Sequence, residues 1–380
     1  VASSMITVAG VVFSITLVAL SLTSSQYTSR VIRNFMRDRV NQVVLGVFVG
    51  IFAYCLVVLR TIRGGDEGAF VPSLAVLAGL ILAFVGIAFL IYFIHYISKS
   101  IQASSIIAGA AWETIAAVDH LFPEALDEDG AEDRNGKLWT LLADQPWSAV
   151  PAGKTGYIES IDADALLDVA RKHGTILRME RGIGEFVVEG TPLVSVAAPG
   201  VLEDETTAEL NAVYIISRQR TVEQDAAYGI RQIVDIAMKA LSPGINDTTT
   251  AVMCVDYLTA ILVRLATRRI AASHRLDQGK LRVVARGPSF ESLLAEAFDQ
   301  IRQNAAGNVA IMLRMLNAMQ TIASLTVNPS RRRAIRENVQ WIADLAERTI
   351  KSPYDRARFE SRLVRVREAL EDENRFKSTC

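Results

Sequence analysis

Three long apolar runs occupy the first hundred residues. Met5 to Thr23 reads MITVAGVVFSITLVALSLT, Val43 to Leu59 reads VVLGVFVGIFAYCLVVL, and a third run extends from Ala69 to Ile94; none contains Asp, Glu, Lys or Arg. A helix rises about 1.5 Å per residue, so about 20 apolar residues cross a hydrocarbon core about 30 Å thick. The pattern predicts a transmembrane domain over residues 1–98, with spans at 5–23, 43–60 and 69–97. Helical composition then continues through YFIHYISKSIQASSIIAGAAWETIAAVDHLF to Phe122, before Pro123. This predicts a helical extension of the third span over 99–123, with small residues such as Ala103, Ser104, Ala108, Gly109 and Ala111 suited to close helix approach.

Beyond it the pattern changes twice. Residues 124–136, EALDEDGAEDRNG, are acidic and rich in turn formers, and 124–146 reads as a loop or linker. TGYIESI and TILRME then read as strands around a short helix, DADALLDVARKH, started by Asp162 or Asp164. RGIGEFVVEGTPLVSVAAPG adds glycine-punctuated strands, giving a small β-rich domain over 147–198. Its segment GEFVVEGTPL resembles hairpins of barrel-sandwich hybrid domains such as lipoyl modules, although no lysine occupies the hairpin tip. From 199 to 380 a helical domain follows, with amphipathic patterns at 203–216, 224–241, 247–268, 289–304, 308–325, 331–350 and 355–370, and LRVVA (281–285) as one more strand. The fold class is therefore membrane α-helical, with three or more transmembrane helices and an α+β cytoplasmic region, a small β-rich domain followed by a helical domain.

Loop charges orient the spans. Arg30, Arg33, Arg37 and Arg39 face one acid, Asp38, in the first loop, whereas Arg60 and Arg63 are offset by Asp66 and Glu67 in the second. Basic residues stay inside, so the first loop and everything after Ser98 read as cytoplasmic. The same four arginines are candidate contacts for anionic lipid head groups, against the plainer reading of a solvated corner with orienting charges. The first run lacks a basic flank and a cleavage pattern, which separates it from a signal peptide. The chain begins with Val, which leaves room for a further span ahead of it.

Composition narrows the function class. The 380 residues carry 40 Lys and Arg against 41 Asp and Glu, with 51% hydrophobic residues and mean hydropathy +0.26. Near-zero net charge argues against a bulk nucleic-acid binder. Basic residues thicken from Arg331 to Arg367 but alternate with acids, as on a solvated helix face. Cys55, Cys254 and Cys380 lack metal or redox spacing, and His95, His120, His173 and His274 lack ligand partners in sequence. PAGKTGY ends like a phosphate-binding loop, yet Ser148 stands where the first glycine belongs. No catalytic, cofactor or metal residue is assigned, and no cofactor is expected.

One stretch concentrates turn chemistry between two helices: MKALSPGINDTTTAVMCVDYL, residues 238–258. Pro243 stops a helix, Gly244 suits a left-handed closing residue, and Asn246 or Asp247 suits the next N-cap. Upstream, Arg231 and Asp235 are four apart on one helix face, the spacing of an ion pair. Arg231, Asp235, Ser242, Asn246 and Asp247 form the candidate site, read as a structural corner, a ligand or ion site, or a subunit contact.

The segments ITVAGVVFSITLVALSLTSSQ (6–26), RNFMRDRVNQVVLG (33–46), IYFIHYISKSIQASS (91–105), RQRTVEQDAAYGIRQIVDIAMKALSPGINDTTTAV (218–252) and FDQIRQNAAGN (298–308) resemble a bacterial membrane-protein family, domain of unknown function 2254. Thr248 stands where relatives have Pro or Phe after the Asn-Asp pair. The resemblance implies a multi-pass protein of the bacterial inner (plasma) membrane and brings no activity and no catalytic residue. The expectation is a non-enzymatic, homo-oligomeric protein of the lipid bilayer that forms or gates a channel for ions or small solutes. The alternative is a membrane-anchored scaffold or accessory subunit whose cytoplasmic helices bind another membrane complex. Nucleic acid is not an expected partner.

Overall fold

The computed structural model describes residues 1–26, 39–62, 70–122, 142, 145–198, 203–270 and 274–371. Arg30, Arg33 and Arg37, the acidic stretch 124–136 and Cys380 lie outside these residues. Twelve helices and eight strands form among the described residues. The chain divides into two compact units, Val1–Ala108 and Gly109–Cys380.

The first unit holds α1 (Ala2–Gln26), α2 (Arg39–Thr61) and α3 (Ser73–Ser100), each made of the apolar runs. They bury Met5, Val12, Val44, Phe48, Ile51, Phe93 and Ile97 among themselves. Gly86 permits this approach, because a Cβ there would stand 3.2 Å from Ile51 and 3.3 Å from the Met5 sulfur. Backbone polar groups inside a bilayer must be satisfied within the protein, which the helices do for themselves. The hydroxyls of Thr7, Ser14 and Thr16 follow suit, donating to the carbonyls of Ser3, Gly10 and Val12 one turn back. Tyr54 reaches from α2 to donate to the Ala75 carbonyl at 3.0 Å. The other faces are apolar and exposed, with Leu74 at 82%.

The expected unbroken helix from the third span to Phe122 is two helices. The α3 helix closes at Ile101, whose amide bonds to the Ile97 carbonyl, and α4 (Ala103–Leu121) begins with Ser105 and Ile106 amides on the Gln102 carbonyl. Continuous helical composition hides a break that costs only two residues.

In the second unit β1 (Trp147–Pro151), β2 (Gly156–Ile161), α5 (Ala163–Lys172), β3 (Leu177–Met179), β4 (Phe186–Val187) and β5 (Pro192–Ala197) follow the sequence pattern. Asp162 caps α5, accepting from the Asp164 and Ala165 amides. The strands are not confined to 147–198, however. After α6 (Asp204–Ala212), β6 (Tyr214–Ser217) completes a sheet of order β4-β2-β6. A hairpin of β7 (His274–Asp277) and β8 (Lys280–Val284) completes the other, of order β1-β5-β3-β8-β7. Its turn residues Gln278 and Gly279 have φ of 47° and 77°, the sense of twist that joins adjacent strands tightly. All pairings are antiparallel except β3 with β8. Val150, Ile158, Leu166, Leu177, Leu193, Leu210 and Tyr214 share one core. The PAGKTGY segment joins β1 to β2 with its Gly153 amide on Asn211, so no helix follows it to receive a phosphate.

The helices α7 (Ala226–Ala240), α8 (Thr248–Ala266), α9 (Phe290–Asn304), α10 (Val309–Ala323), α11 (Pro329–Thr349) and α12 (Pro353–Glu371) match the amphipathic patterns. Among the described residues four helices are long and apolar enough to cross a membrane by length and composition: α1, α2, α3 and α8. The fourth has the packing of a core helix. Ala251, Cys254, Val255, Leu258, Ile261, Leu262 and Leu265 are buried, and Asp256 and Arg264 pair with Arg314 and Asp119 of the same unit.

Candidate functional site

The α7–α8 corner is closed by its own side chains. The Ser242 carbonyl accepts the amides of Ile245 and Asn246, and the Asp247 amide reaches back to Ala240 at 2.8 Å. Ser242 Oγ donates to the Lys239 carbonyl at 2.7 Å. The left-handed residue is Asn246, at φ 50°, rather than Gly244, which is absent from the positive-φ glycines. Asn tolerates this region because its short amide bonds locally. Asp247 is the cap of α8, accepting from the Thr250 amide at 3.0 Å and hydroxyl at 2.5 Å. Thr248 Oγ1 in turn accepts from Asn308, the cap of α10. Ser242, Asn246 and Asp247 thus meet at one exposed corner, where the Ser242 hydroxyl, the Asn246 amide N–H and the Asp247 carboxylate are engaged inside the fold.

Hydrogen bonds from the Thr250 side chain and amide hold the Asp247 carboxyl below its usual range. A depressed carboxyl contributes stability that is present above the unfolded value of about 3.9 and lost as pH falls through the folded one. Asp247→Ala is expected to cost about 1 kcal/mol, the worth of an N-cap, measured as lowered thermal stability at neutral pH. The difference from wild type should shrink on acidification below pH about 4.

Arg231 and Asp235 lie within α7, upstream of that corner. Arg231 Nε donates to Glu296 on α9, a partner 65 positions away that no local spacing indicates. Arg39 is exposed at the start of α2. Two arginines of the basic tail prove to be buried rather than on a solvated face. Arg331 donates to the carbonyls of Ala266 and Arg268 at 2.9 Å each, and Arg332 to Leu370 at 2.7 Å. They satisfy carbonyls that helix ends leave unpaired. Among the described residues no three His, Cys, Asp or Glu cluster as metal ligands.

A different place in the second unit gathers polar groups around open space. Four segments meet there: Leu121 and Phe122 at the end of α4, the Gly182–Glu185 turn, Gln224 to Ala227 at the start of α7, and Arg286 to Pro288. They enclose a cavity of about 440 Å³, within the range of small-molecule sites. Asp225 organises its wall. Buried to 6% exposure, it accepts the Tyr228 amide and takes both Nε and a terminal nitrogen of Arg220, at 2.7 and 3.0 Å. The Arg220 guanidinium also lies 5.1 Å from the Tyr228 ring centre. Gly184, at φ 81°, makes room for the pair: a Cβ would stand 2.4 Å from Asp225 Oδ2. Gly182 similarly lets the Arg286 carbonyl approach to 2.9 Å of its Cβ position. The N-cap role of Asp225 is a local signal; the cavity itself is not, since its walls come from four distant parts of the chain.

A family model described as "Predicted membrane protein (DUF2254)" matches residues 1–321. The chain is 35% identical over 382 residues to the uncharacterized protein Rv1290c of Mycobacterium tuberculosis, covering 98% of this chain and 71% of that one. The same figures hold for the uncharacterized protein Mb1321c of Mycobacterium bovis. No solved structure matches.

Proposed function

The chain belongs to the DUF2254 family of predicted membrane proteins, and we propose that it is a non-enzymatic, self-associating protein of the bacterial inner membrane whose subunits together enclose a gated pathway for ions or small solutes. The observation that carries this reading is the outer face of α2. Gly46 and Gly50 stand four apart with Ala53 next along the exposed stripe, and a Cβ at either glycine would meet nothing within 4 Å. Exposed small residues at this spacing let a second membrane helix pack backbone to backbone. The interior shared by α1, α2 and α3 is filled by Phe48, Phe93 and their neighbours, so the reading puts the pathway between chains. Basic and histidine side chains of these helices, Arg39, Arg60, His95 and Lys99, lie in the first or last two turns, which favours an apolar constriction over a chain of proton carriers. By the loop charges the second unit is cytoplasmic, and α4 is its entry from the membrane part.

Two measurements test the reading. Cross-linking in native membranes should trap oligomers of the wild type, and Gly46→Leu with Gly50→Leu should weaken association about tenfold, the scale of one packed membrane-helix contact. Vesicles containing oriented, oligomeric protein should pass small ions or osmolytes. Tight vesicles refute the pathway, and recovery of a stoichiometric foreign complex from native membranes replaces it with the membrane-anchored scaffold.

A further inference from the structure

We infer that the 440 Å³ cavity at the start of α7 is a binding site for a small organic anion, a carboxylate carried on an apolar body. The donor and acceptor inventory of its walls leads there. Every side-chain carboxylate on the wall is already engaged. Asp225 gives both oxygens to Arg220 and the Tyr228 amide, and Glu185 takes Arg286 Nε at 2.6 Å and Arg181 at 3.6 Å. Donors remain in excess. The terminal nitrogens of Arg286 have no acceptor among the described residues, since only its Nε is used. Gln224 accepts the Ile161 amide through Oε1, which leaves its NH2 group as a donor. The Ala226 and Ala227 amides, in the first turn of α7, likewise have no acceptor among the described residues.

Charge points the same way. Glu185 and Asp225 pair with Arg181, Arg220 and Arg286, and Glu180, which also feels Arg286, pairs with Arg178, three negative groups against four positive. A ligand rich in acceptors and carrying one negative charge completes this set, whereas a cation would meet one positive charge in excess and no open acceptor side chain. Leu121, Phe122, Ile183, Ala226 and Pro288 supply the remaining walls. They are apolar, so a fully hydrated inorganic anion leaves most of the volume unmatched, and an aromatic or short aliphatic body fills it. The carboxylate would sit toward Arg286, Gln224 and the α7 amides, with the body against α4's last turn. Because that turn ends the helix that follows the membrane part, occupancy would stiffen α4 where it joins the folded unit. The site stands or falls independently of whether the spans form a pathway.

The test uses the full chain in lipid nanodiscs and phenylacetate as the probe, with phenylacetamide and phenethylamine as neutral and cationic counterparts. Amide hydrogen exchange over residues 182–187 and 226–229 is the readout. Phenylacetate should slow exchange in both segments, and the other two compounds should need at least about tenfold higher concentration for the same effect, as loss of a charge-assisted pair implies. Arg286→Gln, an exposed change that leaves the core untouched, should weaken phenylacetate about tenfold. Ile183→Trp should abolish protection by filling the space. No protection by phenylacetate at millimolar concentration, equal protection by all three compounds, or an unchanged response in Arg286→Gln would each overturn the inference.

Discussion

Gly229→Ala is expected to lower the melting temperature of the second unit, although the same exchange in an exposed helix interior normally stabilises by about 1 kcal/mol. The sign reverses because α7 crosses α4 at this residue. A Cβ on Gly229 would lie 2.1 Å from Thr114 Oγ1, 2.8 Å from its Cγ2 and 2.9 Å from its Cβ. Thr114 is fully buried, and its hydroxyl is committed to the Ala110 carbonyl at 2.6 Å, so it has little freedom to turn aside. Overpacking of this kind costs about 1–3 kcal/mol, and the nearness of the clash puts the expected loss at the upper end. For a unit of this size that is a fall of about 6–12 °C, read as loss of helical circular dichroism in detergent solution. Thr114→Ala in the same chain should recover part of the loss, because it removes the two nearer atoms but leaves the Cβ. A single Gly229→Ala variant that melts at or above the wild-type temperature would show that the two helices do not approach so closely.

Asp225→Ala has the second largest expected effect, about 3 kcal/mol, because one carboxylate serves two structural ends. It supplies the α7 cap through the Tyr228 amide and it neutralises Arg220, whose side chain is only 25% exposed. Alanine removes both, leaving the Tyr228 amide with only the Asp225 carbonyl as acceptor and Arg220 as a largely buried cation without that carboxylate. Asparagine keeps an acceptor for the amide and forfeits the charge, so Asp225→Asn should lose about half as much. Exchange of the amides at 226–229 should accelerate in the alanine variant before the unit as a whole melts. Equal stability of the alanine and asparagine variants would mean that the cap contributes nothing.

These residues also mark the boundary of what the sequence discloses. Helices with a 3.6-residue pattern and a side-chain cap are legible: Asp162 and Asp247 cap where a short polar residue precedes an apolar repeat. The three apolar runs were legible from length alone. Tyr214–Ser217 was not, because a four-residue strand directly following a nine-residue helix vanishes in any window long enough to detect helical periodicity. Arg231 pairs with Glu296 on another helix, a partner that the four-residue spacing to Asp235 does not indicate. Arg331 and Arg332 look like surface charge in a row of arginines; only the positions of helix ends reveal what they bind. Gly229 carries no local mark at all, since a glycine inside a helix announces a close neighbour without saying which.

The parallel pairing of β3 with β8 sets an order of events. Leu177 lies beside Val283 and Arg178 beside Val284, with β4, β5, α6, β6, α7, α8 and β7 between them in the chain. During synthesis, strands β1, β5 and β3 can associate early, but one border of β3 stays open until the ribosome has released residues beyond Val284. Such a long closure slows assembly and exposes a bare strand edge to other nascent chains.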